Sequence, residues 1–252
     1  MISLARGGQA AWAAPSIALA LAALLVVAMP ASAPAAGKPG YPDRVTWGGV
    51  AWSVKTSRSA VGPGPCVFDR TNAWVDGSGA LHLRVARNAT GTWTCAEIVG
   101  PVSYGYGTYT FTLASAVNAL DPNAVLGLFT WSDRATYAHR ELDIEFARWG
   151  NAADPANAQY VEQPYAAAGH LLRFAQPAVT TSAHAFTWSP GRIAWRSVDG
   201  GGTLIAEYAY AGSDVPRPGD ERVHLNLWLF NGQAPASGNP VEVIVRSFAF
   251  TP

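Results

Sequence analysis

The chain has 252 residues, and its 17 Lys and Arg balance 17 Asp and Glu to give a formal net charge of zero. This balance argues against nucleic acid and anionic membrane surfaces as partners, because proteins that bind them carry an excess of positive charge. The 10 Trp residues favour a neutral polysaccharide, since flat aromatic rings pack well against the C–H faces of sugars.

The first segment, residues 1–36, has the pattern of a secretory signal peptide followed by a short linker. Arg6 is its only charged residue, a long Ala- and Leu-rich run follows, and small residues precede a cleavage site that we expect near Ala35. The uncharged stretch 7–37 is also long enough for an uncleaved membrane anchor. We therefore expect a secreted or periplasmic protein with one domain over residues 37–252.

Two cysteines, Cys66 and Cys95, occur in the chain. In an exported protein an isolated pair favours a disulfide over a metal or catalytic site. We predict that the two are bonded, and that closing a loop of about thirty residues stabilises the fold by roughly 3 kcal/mol.

The rest of the chain is typical of strands separated by turns. Runs of β-branched and aromatic residues are bounded by Gly, Pro, Asn or Asp, and no segment with helical period and caps stands out. Residues 199–202 (Asp-Gly-Gly-Gly) predict a hairpin turn, and residues 214–220 predict a loop. The pattern predicts an all-β sandwich of two antiparallel sheets. The predicted strands are 81–86, 106–113, 125–131, 141–146, 185–188, 193–197, 205–210, 223–228 and 241–250.

The strand at 141–146 alternates three acids with three large apolar residues. Side chains in a strand alternate between its faces, so the apolar residues enter the core while Glu141, Asp143 and Glu145 share the other face. The Cα atoms of Glu141 and Glu145 are then about 13 Å apart, and inward-leaning side chains bring the carboxyls to roughly 5 to 6 Å. That separation is typical of a retaining glycosidase, in which one carboxylate attacks the anomeric carbon and the other protonates the leaving oxygen.

Two other interpretations of the acids stay open. In the first, the acids form the solvent-exposed face of an ordinary amphipathic strand, although like charges side by side are unfavourable unless they have a function. Alternatively, the three acids hold a divalent cation together with His139. Two Trp residues are the leading candidates for sugar platforms, because Trp149 has the same strand parity as the acids and Trp131 closely precedes them.

The 141–146 segment resembles the active-site strand of glycoside hydrolase family 16, which includes licheninases, laminarinases, agarases and xyloglucan endotransglycosylases. The spacing of Cys66 and Cys95 is also similar to that of the bridged pair in bacterial licheninases. Three further regions resemble the family's upstream strand, its later hairpin and its Asn-Leu-Trp strand: Tyr104–Tyr109, His184–Pro190 with Val198–Gly200, and His224–Trp228.

The resemblance implies a concanavalin A-like jelly roll of two curved antiparallel sheets, with the acids on the concave face. Glu141 would be the nucleophile, Asp143 its hydrogen-bonded assistant, and Glu145 the general acid and base. The implied protein is a monomeric, endo-acting β-glycan hydrolase without a cofactor. With the two Trp platforms, Trp131 and Trp149, the expected substrate-binding residues are Glu97, His139, Asn226 and Trp228.

The chain departs from the family at four positions. His139 and Arg140 precede the nucleophile where licheninases carry an aromatic residue and an Asp, and only His139 is similar to the endotransglycosylases. In a regular strand Arg140 would point away from the acids, whereas a bulge would turn it into the cleft. Val99 stands where licheninases have a substrate-contacting Arg, which argues against their mixed-linkage preference. Arg246 lies where the family often has a calcium-binding Asp, so we predict no metal.

Two further functions remain open at this point. A carbohydrate-binding or lectin-like jelly roll would use the same fold without turnover. A transglycosylase would use the same three acids and differ only in the acceptor that reaches the glycosyl enzyme.

Overall fold

The computed structural model describes residues 40–252, which form two largely antiparallel β-sheets packed face to face. Within this range the only helical segments are four short 3-10 turns, so the predicted all-β class is confirmed. No helix there has the length and apolar character needed to cross a membrane. The predicted signal peptide and its alternative, a membrane anchor, lie outside the described residues. The 3-10 turns are Arg70–Asn72, Val117–Ala119, Ala138–Arg140 and Phe230–Gly232.

Strands cover most of the described chain. Their bounds are β1 (Gly40–Trp47), β2 (Val50–Thr56), β3 (Val67–Phe68), β4 (Ala73–Val75), β5 (Leu81–Arg87), β6 (Trp93–Val99), β7 (Gly107–Leu113), β8 (Ala124–Trp131), β9 (Leu142–Phe146), β10 (Ala158–Glu162), β11 (Leu171–Phe174), β12 (Ser182–Ser189), β13 (Arg192–Asp199), β14 (Leu204–Ala211), β15 (Arg222–Leu229) and β16 (Val241–Thr251).

The two sheets share one edge. The first sheet has the spatial order β11-β10-β9-β8-β15-β6-β2-β1, and the second has the order β4-β5-β16-β7-β12-β13-β14. They are joined where the end of β5 pairs with the start of β6, at Ala86 and Thr94. The short β3 adds to β6 in parallel. This arrangement leaves one face of the first sheet free for a binding surface.

All nine predicted strands are confirmed, with small shifts at their ends. The predicted turn at 199–202 joins β13 to β14, and Gly202 N donates to Asp199 O (3.0 Å). The pattern missed seven strands of the described chain, which are β1, β2, β3, β4, β6, β10 and β11. Two of them, β6 and β10, were missed because they carry buried polar side chains such as Glu97 and Gln159. Burial on both faces removes the alternation of polar and apolar residues by which a half-exposed strand is identified.

The hydrophobic core lies between the sheets. The three apolar residues of β9, Leu142, Ile144 and Phe146, are fully buried there, as the alternation predicts. Phe146 meets His184 of the second sheet edge-on, with ring centroids 4.8 Å apart. Tyr160 of β10 stacks on Trp195 of β13, with ring centroids 6.0 Å apart. Each buried side chain of this size stabilises the fold by about 1.5–3 kcal/mol, so the core face fixes the orientation of β9.

The predicted disulfide is confirmed. Cys66 and Cys95 are bonded across a sequence separation of 29 residues, and both side chains are buried. Cys95 belongs to β6, so the bond fixes the loop before β3 to a central strand of the first sheet.

We expect loss of this disulfide to lower thermal stability without abolishing chemistry. A closed loop of this length constrains the unfolded chain by about 3–4 kcal/mol, which corresponds to roughly 10 °C in a domain of this size. Thermal unfolding of the Cys66→Ala/Cys95→Ala variant beside the oxidised parent measures the effect. An unchanged melting temperature would contradict the prediction.

Candidate active site

One face of the first sheet, which we call the acid face, carries the side chains of Asp143 and Glu145. Directly paired residues of antiparallel strands project to the same side, so the register identifies their neighbours on this face. Two rows of paired positions run across the sheet. The first is Glu97, Asn226, Gly127, Glu145, Gln159 and Arg173, and the second is Val99, His224, Phe129, Asp143, Val161 and Leu171.

Glu141 lies just before β9, at the end of a left-handed turn. Residues 137–140 all have positive φ, between 46° and 64°, although none of them is glycine. Such conformations cost about 1–2 kcal/mol each and persist only where neighbouring contacts impose them. Two contacts from β8 and its end hold this turn, since Thr130 Oγ1 donates to Arg140 O (2.8 Å) and Ser132 N donates to His139 O (2.8 Å). The turn therefore sets where the Glu141 side chain leaves the backbone.

Arg140 adopts neither of the two orientations considered from sequence. It precedes β9 rather than lying within a regular or bulged strand, so strand parity does not govern it. Its Nε donates to Arg217 O (2.9 Å) and lies 3.8 Å from Glu221 Oε2. Arg140 thus connects the left-handed turn to the loop 214–220, which precedes β15.

Burial raises the pKa values of all three acids, and repulsion by neighbouring carboxylates adds to this for Glu141 and Asp143. Burial, with the charges of Glu145 and Glu97, raises the pKa of Glu141 to about 8. Burial and its two glutamate neighbours raise the pKa of Asp143 well above its usual range. Burial also raises the pKa of Glu145, to about 7, although Gln159 and Arg173 partly offset it. Near neutral pH the site therefore holds both ionised and protonated carboxyls, which is the mixture that acid and nucleophile chemistry needs.

Two glutamines that the sequence pattern missed bind the acids. Gln159 Nε2 donates to Glu145 Oε2 (2.7 Å), and Gln163 Nε2 lies 3.5 Å from Asp143 Oδ2. Gln163 N also donates to Glu141 O (3.1 Å). The local sequence of residues 159–163 does not indicate this role, because only the pairing of β10 with β9 brings the two glutamines to the acids.

Glu97 lies on the acid face within a buried ionic cluster. Its two oxygens contact Lys55 Nζ (2.8 Å) and His224 Nδ1 (2.9 Å). Burial raises the pKa of Glu97, but Lys55 and His224 more than offset this and bring it to about 2. Lys55 also donates to Gly62 O (2.8 Å). Sequence reasoning missed Lys55 and His224, because they come from strands far apart in the chain; the sugar-binding role of Glu97 stays a prediction.

Aromatic side chains flank the acids at both ends. Near Glu141, Trp131 stacks on His139 with ring centroids 4.1 Å apart. At the other end of β9, Trp149 lies 6.0 Å from Trp228, and its Nε1 donates to the Gln159 side chain (3.2 Å). The predicted platforms thus lie beside the acids, and their contact with sugar stays a prediction.

Asn226 lies between Glu97 and the acids, across from Gly127. Its Oδ1 is buried and has no hydrogen-bond partner within residues 40–252. A Cβ atom at Gly127 would lie 2.5 Å from that oxygen, so the absence of a side chain leaves room for the carboxamide. An unpaired acceptor at this position is suited to a hydroxyl donor from a ligand.

The metal-site interpretation finds no geometric support in the part of the chain that the structure describes. No group of three or more His, Cys, Asp or Glu side chains there is arranged to hold a metal ion. His139 Nδ1 instead donates to the carbonyl oxygen of Ser132 (2.8 Å).

Comparison with known proteins identifies relatives at low identity. No protein-family model matches the chain. A β-glucanase of Paenibacillus polymyxa is 26% identical over 171 residues, covering 66% of each chain, which is just under two thirds of the relative. A β-glucanase of Paenibacillus macerans is 27% identical over 186 residues, covering 72% of each chain. The resemblance to the β-glucanases of glycoside hydrolase family 16 is thus confirmed.

Solved structures show the same fold. The Bacillus licheniformis β-glucanase aligns with a TM-score of 0.62 at 20% identity, covering 88% of this chain and all (100%) of that one. A prokaryotic β-1,3-1,4-glucanase (lichenase) from a mouse hindgut metagenome aligns with a TM-score of 0.60 at 20% identity, covering 87% and 99% of the two chains. These likenesses confirm the predicted jelly roll.

We expect Lys55→Met to destabilise the fold by about 3–5 kcal/mol at pH 7, because it leaves the Glu97 carboxylate buried without its cation. The folded-state pKa of Glu97 is below its ordinary value of 4.5, so its stabilising effect is present above pH 4.5 and is lost as pH falls towards 2. Urea unfolding at pH 7 measures the change. The double variant Lys55→Met/Glu97→Gln should recover most of the loss, and a single variant as stable as the parent would refute the cluster's role.

Proposed function

We propose that this chain, whose sequence and fold resemble those of β-glucanases, is an endo-acting β-glycan hydrolase that cleaves O-glycosidic bonds with retention of configuration. The observation that carries the proposal is the set of crowded carboxyls at 141, 143 and 145, buried enough to share protons near neutral pH. The acid face extends over several strands on both sides of β9, which suits a polymer bound across the site rather than by its end.

The proposed reaction has two displacement steps. Ionised Glu141 attacks the anomeric carbon while protonated Glu145 gives its proton to the leaving glycosidic oxygen, which forms a covalent glycosyl enzyme. Glu145, now ionised, then removes a proton from water as the water attacks the same carbon and releases Glu141. Asp143, between them, assists Glu141 by hydrogen bonding. Retention in this scheme requires carboxyl groups about 5–5.5 Å apart.

The exchange of protons fits the surroundings of Glu145. A group that acts first as an acid and then as a base works best when its pKa lies near the working pH, and burial offset by Gln159 and Arg173 brings the pKa of Glu145 to about 7. Burial raises the pKa values of both glutamates, so the experiment must separate the nucleophile from the acid.

Azide rescue separates them. Glu141→Ala and Glu145→Ala should each lose several orders of magnitude in turnover, because each removes a group that acts only in the transition state. With an activated aryl β-glycoside, azide should enter the Glu141→Ala cavity and give the α-glycosyl azide, whereas Glu145→Ala should give the β-glycosyl azide. Product NMR distinguishes the anomers.

Exchanged products would reverse the two roles. Full activity of either variant would end the proposal. Glu207→Gln is a matched control, since Glu207 forms an exposed ion pair with Arg196 on the second sheet and should leave turnover unchanged.

The substrate that we propose is a neutral polysaccharide of the β-glucan type. Laminarin, lichenan, xyloglucan and agar should be compared by reducing-sugar release and by product length. Endo cleavage predicts a mixture of oligosaccharides and an early fall in viscosity. Binding to the polymers without release, and without transfer to oligosaccharide acceptors, would favour a carbohydrate-binding module. Longer products at high acceptor concentration would favour a transglycosylase.

Export belongs to the same proposal. Polysaccharides of this kind are met outside the cell, and residues 1–36 have the composition of a signal peptide. We propose a secreted or periplasmic monomer that acts on its polymer without a nucleic acid partner and without membrane attachment once the signal is removed.

A further inference from the structure

We propose that Arg173 is a positioning residue that acts through Gln159 on Glu145, fixing the direction of its carboxyl group and placing a positive charge behind it. The inference rests on the proposed function, because it concerns how Glu145 gives and takes its proton. Arg173 belongs to none of the motifs that carry the family resemblance.

The three residues form one row across the acid face. Arg173 pairs with Gln159 between β11 and β10, and Gln159 pairs with Glu145 between β10 and β9. Arg173 Nη1 donates to Gln159 Oε1 (3.2 Å), and Gln159 Nε2 donates to Glu145 Oε2 (2.7 Å). The chain of contacts therefore runs from a guanidinium to the candidate acid through one buried amide.

The donors around Gln159 determine which way its amide points. Its Oε1 accepts from both Arg173 Nη1 and Trp149 Nε1, at 3.2 Å each. Both partners only donate, so the oxygen must face them and the NH₂ group must face Glu145. An amide held in this orientation offers Glu145 a donor that favours its ionised form.

Arg173 is itself held in place. Its Nη2 donates to Asp154 Oδ2 (2.8 Å) and to the carbonyl oxygen of Ala156. Both partners belong to the segment between β9 and β10, which also carries Trp149. Arg173 thus fixes this segment and the Gln159 amide together, and its side chain is 26% exposed.

Charges of both signs face Glu145. Asp143 shares its strand and Glu141 immediately precedes that strand, while Glu97 lies further along its row with Lys55 and His224 bound to it. The paired positions on β8 and β10 are Gly127 and Gln159, which carry no charge. Asp154 lies behind the guanidinium. Arg173 is the cation that lowers the pKa of Glu145, against the stronger effect of burial.

This balance matters because Glu145 has two opposite tasks. In the first step its proton goes to the leaving oxygen, and in the second step it takes a proton from water, so no net proton is lost. Burial alone would keep Glu145 protonated and make it a poor base in the second step. The cation Arg173 and the amide donor Gln159 lower the pKa of Glu145 again, so that both steps run near neutral pH.

The experiment compares Arg173→Met with Arg173→Lys, which keeps a positive charge, and with the surface control Arg196→Met. In Arg173→Met the alkaline limb of the pH profile of kcat/KM should move to higher pH by roughly 0.5 unit or more, since the proton leaves Glu145 less readily. At neutral pH an aryl glycoside with a good leaving group should give a burst of aryl alcohol, and mass spectrometry should detect the accumulated glycosyl enzyme. Arg173→Lys should restore most of both effects.

A lower kcat with an unmoved alkaline limb and no burst would overturn the inference, because a purely structural role predicts that result. Should Arg173→Met fail to fold, Gln159→Leu and Asp154→Asn provide the test. Gln159→Leu should still move the alkaline limb to higher pH, because it removes the amide donor to Glu145. Asp154→Asn keeps Arg173 and should leave the alkaline limb where it is. The reverse pattern would contradict the inference. An active Glu145→Gln enzyme would refute the proposed function itself, whereas an inactive one with an unmoved Arg173→Met profile would refute only this inference.

Discussion

The two-residue period of a single strand imposes the constraint on which the rest of the site depends. In β9 the same alternation that buries Leu142, Ile144 and Phe146 in the core places carboxyl groups next to one another on the opposite side. Their repulsion is unfavourable, and the hydrophobic contacts of the core face offset it because the strand cannot rotate without exposing three large side chains. The crowding of the carboxyl groups is thus maintained by hydrophobic packing on the other side of the sheet.

Neighbouring strands complete the site with neutral donors rather than with more charge. Gln159 and Gln163 come from β10 and its end, and they contact two of the acids. The buried cation Lys55 is already paired with Glu97 in its own cluster, and Arg173 reaches Glu145 only through Gln159. The acids therefore keep raised proton affinities, whereas a lysine placed directly among them would have neutralised the site and removed its acid.

The sequence was sufficient for the fold class, the disulfide and the placement of Asp143 and Glu145 on one face, because each depends on a local pattern or on a small number of special residues. The catalytic roles of the acids stay a prediction. The positions of β9 and β15 followed from the sequence pattern to within one residue at each end. Arg173 and His224 could not be found in this way, since their roles arise from register between strands distant in the chain. The orientation of Arg140 could not be predicted either, because a left-handed turn without glycine depends on contacts with β8 that the local sequence does not show.

Gly127 occupies the position in the row between Asn226 and Glu145, where every other strand presents a side chain. The acid face at that point is bare backbone, and one methyl group would come within 2.5 Å of Asn226 Oδ1 and displace its carboxamide. The space beside Glu145 in this row is therefore set by a missing carbon atom. A substitution there would act on the acid face alone, because the core side chains of β9 lie on the opposite side of the sheet, so the shape of this face is separable from folding.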